Sequence, residues 1–285
     1  FAKTEKSLSN SAGFCKWVKV LYSQYPTYEK NIQWGSNLAQ DEFEGQPTRC
    51  SVTHEDRRKR IKSLQWAGQN EKALQEIQSL RSSSSEDEKY DVDRLEVSYW
   101  LHDGEVEKAL AILMPYYESK KNEVSYLSLV ATTTARAGEA QASVGSYYKI
   151  YKLSPRSKVG RQALYQAAFL SYQFQDYDGA ARKFQEFIKN FSTSGLSKDA
   201  RWHLAWMRYL RADYSGAQRS LAELGKLSNT GRRKTRNAFP KDRLDYWTAM
   251  SLFRQNKFAE SKPLFENLSK DPQLGFYSIA ARLRL

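Results

Sequence analysis

Few side chains in this chain have the type and spacing that catalysis or metal binding requires. The three histidines, His54, His102 and His203, are far apart and follow no metal-ligand spacing. The sequence contains no Gly-x-Ser-x-Gly elbow, no phosphate-binding loop and no dinucleotide fingerprint. A catalytic carboxylate pair needs a shaped cleft that keeps one acid protonated. A solvated helical surface accounts for nearly all of the Asp and Glu residues in this chain. We therefore predict no catalytic residue, no metal ligand and no cofactor.

The two cysteines are the remaining candidates for covalent chemistry. Cys15 and Cys50 are too few for a disulfide scaffold and too few for a zinc site. In an oxidising compartment they could pair, which would close a loop of about 35 residues and stabilise the fold by roughly 3–4 kcal/mol. The alternative is two unrelated thiols, and the spacing does not decide between the two.

Positive charge is the clearest binding signal. Lys and Arg exceed Asp and Glu by 45 to 32, so the net charge is +13, which favours polyanionic partners. The densest cluster, Arg232, Arg233, Lys234 and Arg236, is a candidate site for an anionic polymer, and its alternative is a solvated insertion between repeats. A second basic run, residues 57–60, begins a predicted helix, where the dipole disfavours positive charge; this hints at a partner.

Aromatic residues are abundant and fall at helical spacing. The 7 Trp, 18 Tyr and 13 Phe residues are too many for a disordered chain. Neighbouring rings such as Tyr246 and Trp247 could stack sugars or bases, but rings at helical spacing more often fill the seams between packed helices. Trp202 and Trp206 are one helical turn apart, so we expect them to share a face. We predict that most of these rings lie in seams.

A recurring spacing predicts the elements that carry these residues. Six segments have a small or turn-forming residue (the first anchor), a small residue five positions later (the second anchor), and then an apolar stripe. The first anchors are Gly68, Gly104, Gly138, Gln175, Ala212 and Asn256, and the second anchors are Ala73, Ala109, Ser143, Ala180, Ala217 and Ser261. The first anchors are 36, 34, 37, 37 and 44 residues apart, close to the tetratricopeptide period of about 34 residues.

The spacing has a physical reason. A Gly or Asn at the first anchor can adopt the left-handed conformation that ends one helix, and a small residue at the second lets two helices cross closely. The sequence therefore predicts an all-α fold, a tetratricopeptide-like superhelix of antiparallel helix pairs that could curve into a ring. We assign residues 1–52 to an N-terminal helical segment and residues 53–285 to the repeat domain. The longest apolar runs, such as residues 109–114, are too short to span a membrane.

The last segment resembles a known family. Residues 242–249 (DRLDYWTA) precede a helix pair, and residues 275–283 (GFYSIAARL) follow it. This order is similar to the end of the helical superhelix in soluble lytic murein transglycosylases. The resemblance is best over residues 154–285 and looser back to residue 53.

The resemblance implies a periplasmic protein that takes part in cell-wall remodelling. Members of the family cleave the glycan strands of peptidoglycan without water and leave a 1,6-anhydromuramic end. The reaction depends on a Glu-Ser dipeptide followed by Gly-Leu-Met-Gln in a lysozyme-like domain. This chain lacks Gly-Leu-Met-Gln, and its Glu260-Ser261 is not that dipeptide, because Ser261 is a second anchor.

The resemblance thus implies the non-catalytic superhelical part of such an enzyme. Its partners would be peptidoglycan glycan strands, a C-terminal lysozyme-like catalytic domain and other periplasmic proteins, with Tyr277 and Arg282 at the junction to the catalytic domain. Because the chain opens Phe-Ala-Lys-Thr without Met, we expect a processed, exported chain or a fragment.

Two alternatives remain open at this stage. A stand-alone periplasmic tetratricopeptide adaptor that binds protein partners would have the same helix-pair pattern. A nucleic-acid-binding repeat protein ranks third, since it would need Arg and Lys concentrated on one face with exposed stacking rings.

Overall fold

The computed structural model describes residues 11–27, 42–43, 46–47, 50–229, 239–272 and 275–285. Most of these residues are helical, which confirms the predicted all-α fold. The chain divides into two compact units, residues 1–121 and 122–285. This division falls inside the predicted 53–285 domain, and the boundary after residue 52 stays a prediction.

The first unit is built from consecutive antiparallel helices. Its elements are α1 (Ser11–Gln24), two-residue strands β1 (Glu42–Phe43) and β2 (Gln46–Pro47), α2 (His54–Trp66), α3 (Asn70–Ser82), α4 (Glu86–Asp103), α5 (Val106–Leu113), a 3₁₀ turn (Met114–Tyr116) and α6 (Tyr117–Lys120). The two strands pair antiparallel. Each of α1 to α4 packs against the next helix. One apolar cluster joins Ile61, Ile77, Leu80 and Val92, all fully buried.

The second unit continues the same arrangement. Its helices are α7 (Val124–Arg136), α8 (Ala140–Leu153), α9 (Lys158–Gln173), α10 (Tyr177–Asn190), α11 (Ser197–Leu210), α12 (Tyr214–Asn229), α13 (Lys241–Arg254), α14 (Phe258–Ser269) and α15 (Phe276–Arg282). Neighbours along the chain pack side by side. The largest core cluster includes Phe184 and Phe187 of α10, with Leu164 of α9.

The first anchors end helices in one common way. All six have positive φ, from 60° at Asn256 to 88° at Gly104. At each, the following residue donates its backbone N–H to the carbonyl five positions earlier, as Asp176 does to Ser171 at 2.8 Å. This is the Schellman closure, in which a left-handed residue turns the chain back on itself. The predicted role of the first anchors is confirmed.

The second anchors lie where helices cross. Ala73, Ala109, Ser143, Ala180 and Ala217 are completely buried, and Ser261 is 2% exposed. The Ser143 hydroxyl of α8 also donates to the Ala131 carbonyl of α7 at 2.8 Å. Because a larger side chain would separate the paired backbones, the small residue sets the close approach that the spacing predicted.

Two of the turns carry a further device. In the Asp-Tyr-x-Gly-Ala turns, the carboxylates of Asp176 and Asp213 each accept the backbone N–H of the glycine three residues on, at 2.9 Å. A Cβ on Gly179 or Gly216 would lie 1.9 Å from a carboxylate oxygen. The glycine therefore makes room for the cap that starts the next helix.

Candidate functional site

A row of partly buried rings lies on the first helices of three successive pairs in the second unit. We call this row the aromatic ladder. Its members are Tyr165, Phe169 and Tyr172 of α9, His203, Trp206 and Tyr209 of α11, and Trp247 of α13. All of these residues are partly buried, so the ladder keeps some contact with solvent while its rings pack.

The ladder joins each helix pair to the next. The Trp206 indole N–H donates to the Tyr172 hydroxyl at 3.1 Å, which connects α11 to α9. The rings of Trp206 and Trp247 meet edge to face at 4.4 Å between centroids, which connects α11 to α13. Trp202 and Trp206 stack at 6.2 Å, so they share a face as predicted. The predicted seam role of these rings is confirmed.

His203 occupies a pocket of rings within the ladder. Its imidazole stacks on Phe184 at 5.2 Å and lies 5.3 Å from Phe169 and 5.4 Å from Tyr172. Burial, with a smaller contribution from the Arg243 charge, lowers the pKa of His203 to about 4. Within the described residues its Nδ1 has no hydrogen-bond partner. The ring is therefore neutral at physiological pH and packs as an aromatic side chain.

The positive charge of the chain is unevenly distributed between the units. Residues 1–121 hold 18 Lys and Arg against 19 Asp and Glu, a net charge of −1, whereas residues 122–285 hold 27 against 13, a net charge of +14. Inside the second unit, about half of the cations therefore cannot have a side-chain carboxylate of their own. Counting the charges separately in the N-terminal and C-terminal parts of the sequence would have revealed this asymmetry, which the total of +13 conceals.

The basic run at residues 57–60 is not a free binding surface, which corrects the partner suggested by its sequence. Arg57 pairs with Glu76 of α3 at 2.8 Å, and Arg60 lies 3.8 Å from the same carboxylate. Arg58 lies 3.4 Å from Asp91, and Lys59 lies 3.6 Å from Glu55. Neighbouring carboxylates thus offset the charge that the helix dipole disfavours.

The other basic cluster stays a prediction. Arg232, Arg233, Lys234 and Arg236 lie outside the described residues, which stop at residue 229 and resume at 239.

The predicted junction residues lie within the last helices. The ring of Tyr277 packs against Tyr246 at 5.4 Å. Arg282 donates two hydrogen bonds to the Ser269 carbonyl, at 3.0 and 2.9 Å, which ties α15 to the end of α14. Both residues thus hold α15 in place, and their role at a junction stays a prediction.

Cys15 and Cys50 form a disulfide, with their Cα atoms 5.3 Å apart. The bond ties α1 to the segment that precedes α2, beside the buried side chains of Phe14 and Val18. The sequence left this pairing open.

The described part of the chain was compared with what a metal site and a membrane-spanning helix each require. Across residues 11–27, 42–43, 46–47, 50–229, 239–272 and 275–285, no three His, Cys, Asp or Glu side chains are grouped to hold a metal ion. Across the same ranges, every helix is too short or too polar to cross a bilayer.

Comparisons with known proteins agree with this architecture. Residues 162–194, which cover most of α9 and α10, match the tetratricopeptide repeat family model. A search of curated protein sequences gives no significant match.

Solved structures share the fold across most of the chain. The C-terminal part of a TPR repeat-containing protein from Cytophaga hutchinsonii aligns over 98% of this chain and 97% of its own, with a TM-score of 0.63 and 10% identity. A tetratricopeptide repeat protein from Parabacteroides merdae aligns over 81% of this chain and 84% of its own, with a TM-score of 0.54 and 16% identity. Identities this low show the fold alone. The tetratricopeptide-like fold is confirmed, and the resemblance to lytic transglycosylases stays a prediction.

Proposed function

We propose that this protein is a helical-repeat adaptor whose second unit binds an acidic protein partner. The observation that carries the proposal is the net charge of +14 on residues 122–285. Tetratricopeptide-like stacks offer extended surfaces to partners, and a surface with a large net positive charge attracts partners of opposite charge.

The aromatic ladder supports a protein partner over a nucleic acid. Its rings pack against one another both edge to face, as Tyr209 and Trp247 do at 5.0 Å between centroids, and stacked, as Trp206 and Tyr209 do at 5.5 Å. Nucleic-acid stacking needs open ring faces, whereas these rings are already packed against one another, which favours a protein partner.

A peptide array with graded net charge tests the proposal on the full chain. We expect binding that rises with the negative charge of the peptide and weakens with added salt, because exposed charges are screened. A single-stranded RNA of matched charge is the comparison probe. Stronger binding of the RNA, or binding that does not depend on peptide charge, would contradict the proposal.

A second candidate function follows from the last helix. Phe276 and Ile279 of α15, and Leu283 directly after its last residue, are 74%, 49% and 81% exposed, and their spacing puts them on one helical face. An exposed apolar face of this kind favours a further packed element. This supports a second candidate function, as the superhelical part of a lytic murein transglycosylase. In such a protein α15 would contact the lysozyme-like domain, and the positively charged second unit would engage peptidoglycan.

Cosedimentation with purified murein sacculi tests the second candidate. We expect retention of the chain at low salt that decreases at moderate salt, because peptide stems and the wall carry negative charge. No retention at low salt would exclude peptidoglycan binding by this chain.

We also propose a periplasmic or otherwise oxidising location. The disulfide between Cys15 and Cys50 supports it, because disulfides persist mainly in such compartments. Thiol labelling of the protein in freshly opened cells, without reductant, should leave both cysteines unmodified; labelling of either would argue against export.

A further inference from the structure

A small cavity in the second unit gathers positive charge. It lies among α10, α11 and α12 and has a volume of about 220 Å³. Lys189 of α10 and Arg201 and Arg208 of α11 line it, with a single carboxylate, Glu223 of α12, on the same wall. Three cations against one anion give the lining a formal charge of +2.

Two of the three cations are available to a ligand. Arg208 is engaged, because it donates to the Gly216 carbonyl at 3.3 Å and to the Ser220 hydroxyl. Among the described residues, Lys189 and Arg201 have neither an ion pair nor a side-chain hydrogen bond. Lys189 is exposed and Arg201 partly buried, so both can reach a ligand in the cavity.

The walls of the cavity are mixed in character. The side chains of Ile188 and Leu204 line it beside the cations. Apolar walls around a few convergent charges suit a group with a hydrocarbon stem and an anionic head. The volume is below that of drug-sized ligand sites, which run from about 300 Å³, so the cavity suits a single side chain.

We propose that this cavity receives an acidic side chain of a protein partner, with its carboxylate between Lys189 and Arg201 and its stem against Ile188 and Leu204. The proposal rests on the proposed function and locates one contact on the basic unit. Arg208 is already hydrogen-bonded to α12, so it fixes this side of the cavity and adds positive charge. Glu223 opposes the ligand and limits its affinity.

Fluorescence anisotropy with a labelled hexaglutamate peptide and the full-length chain tests this. We expect Lys189→Gln and Arg201→Gln each to weaken binding about threefold, the range of one exposed ion pair. Glu223→Gln should strengthen binding by about twofold, because it removes a nearby like charge. Inorganic phosphate should compete only weakly, because it lacks the stem that the apolar walls contact.

Matched controls separate the cavity from the charge of the whole unit. Lys257→Gln and Arg284→Gln each remove one exposed cation elsewhere in the second unit and should change binding less than the cavity variants do. Thermal melts verify that every variant folds. Equal weakening by all four cation variants, or strong competition by phosphate, would overturn the cavity site while leaving the adaptor function standing. Failure of hexaglutamate to bind the wild-type chain would overturn both.

Discussion

The first anchors show how a single residue can end a helix at a measurable cost. Three of them, Gln175, Ala212 and Asn256, have φ of 65°, 62° and 60° without being glycine. A left-handed residue with a Cβ atom costs roughly 1–2 kcal/mol, and Asn tolerates it best. Ala212 has no polar side chain to offset that cost, so it is the most strained of the three.

We predict that Ala212→Gly stabilises the protein. Relief of the left-handed strain should exceed the extra unfolded-state entropy of glycine and raise the free energy of unfolding by about 0.5–1 kcal/mol. Chemical denaturation measures the change. Ala137→Gly is the matched control, because Ala137 is also exposed beside a turn but has an ordinary φ of −72°. It should lower stability; a loss in both variants would contradict the strain argument.

His203 should make stability depend on pH. Its pKa is lowered from 6.5 to about 4, so between these values the unfolded chain binds a proton that the native state does not. Its contribution is therefore complete above about pH 6.5 and is lost as pH falls toward 4. Because the ring keeps some contact with solvent, we expect about 1–2 kcal/mol for the second unit.

The variant His203→Phe tests this expectation. It keeps an aromatic ring against Phe169, Tyr172 and Phe184 but removes the titrating nitrogen. Unfolding measured between about pH 4 and pH 7 should show a smaller loss of stability in the variant than in the wild type. His102→Gln, at an exposed position of α4, is the control. If the free energy of unfolding of His203→Phe depends on pH as steeply as that of the wild type, His203 is not the source of the pH dependence.

At the scale of the elements, the second anchors determine how closely the two helices of a pair approach. Ala217 is fully buried in α12, whereas Ala222 of the same helix is exposed. Both positions have the same intrinsic helix propensity, so they differ mainly in what surrounds the side chain. The pair therefore isolates packing at the crossing.

We predict that Ala217→Leu lowers the free energy of unfolding by about 1–3 kcal/mol, because the added atoms overpack the crossing of α11 and α12. Ala222→Leu should change it by less than about 0.5 kcal/mol. Thermal and chemical unfolding of both variants provide the comparison. Equal effects would mean that the crossing can relax and that the small anchor is not required.

At the scale of the whole molecule, the two units differ in how they are stabilised. The first has a disulfide and the charge network around Glu76, whereas the second depends on apolar and aromatic seams. The excess charge of the second unit costs self-repulsion. Ion pairs such as Lys152 with Glu186 offset only part of it, so the seams must supply most of the compensating stability.

We predict that Cys15→Ser together with Cys50→Ser destabilises the first unit by roughly 3–4 kcal/mol on the chain-entropy model. Hydrogen exchange followed by mass spectrometry should show faster exchange in α1 and α2, while α9 to α12 keep their protection. Chemical reduction of the wild-type chain should reproduce the pattern. Faster exchange throughout both units would show that the bond stabilises more than its own surroundings.

The repeat architecture could be predicted from the sequence alone because its determinants are local. A left-handed residue such as Gly104, with Ala109 five positions later, ends one helix and allows the next to pack on it. Both effects depend on neighbours along the chain, so spacing is enough to find them. The apolar stripe of α10 around Phe184 and Phe187 is local in the same sense.

The tertiary structure alone decided which side chains remain free to act. Arg57 meets Glu76 across 19 positions, Cys15 meets Cys50 across 35, and the cavity forms from three separate helices. The residues next to a charged or aromatic side chain in the sequence do not reveal its distant partner, because that pairing depends on how the helices pack against one another. For this reason the sequence suggested an external partner for the basic run at 57–60, although carboxylates of the same chain already pair with it. Lys189 and Arg201, in contrast, stand in no sequence pattern that marks them as a pair.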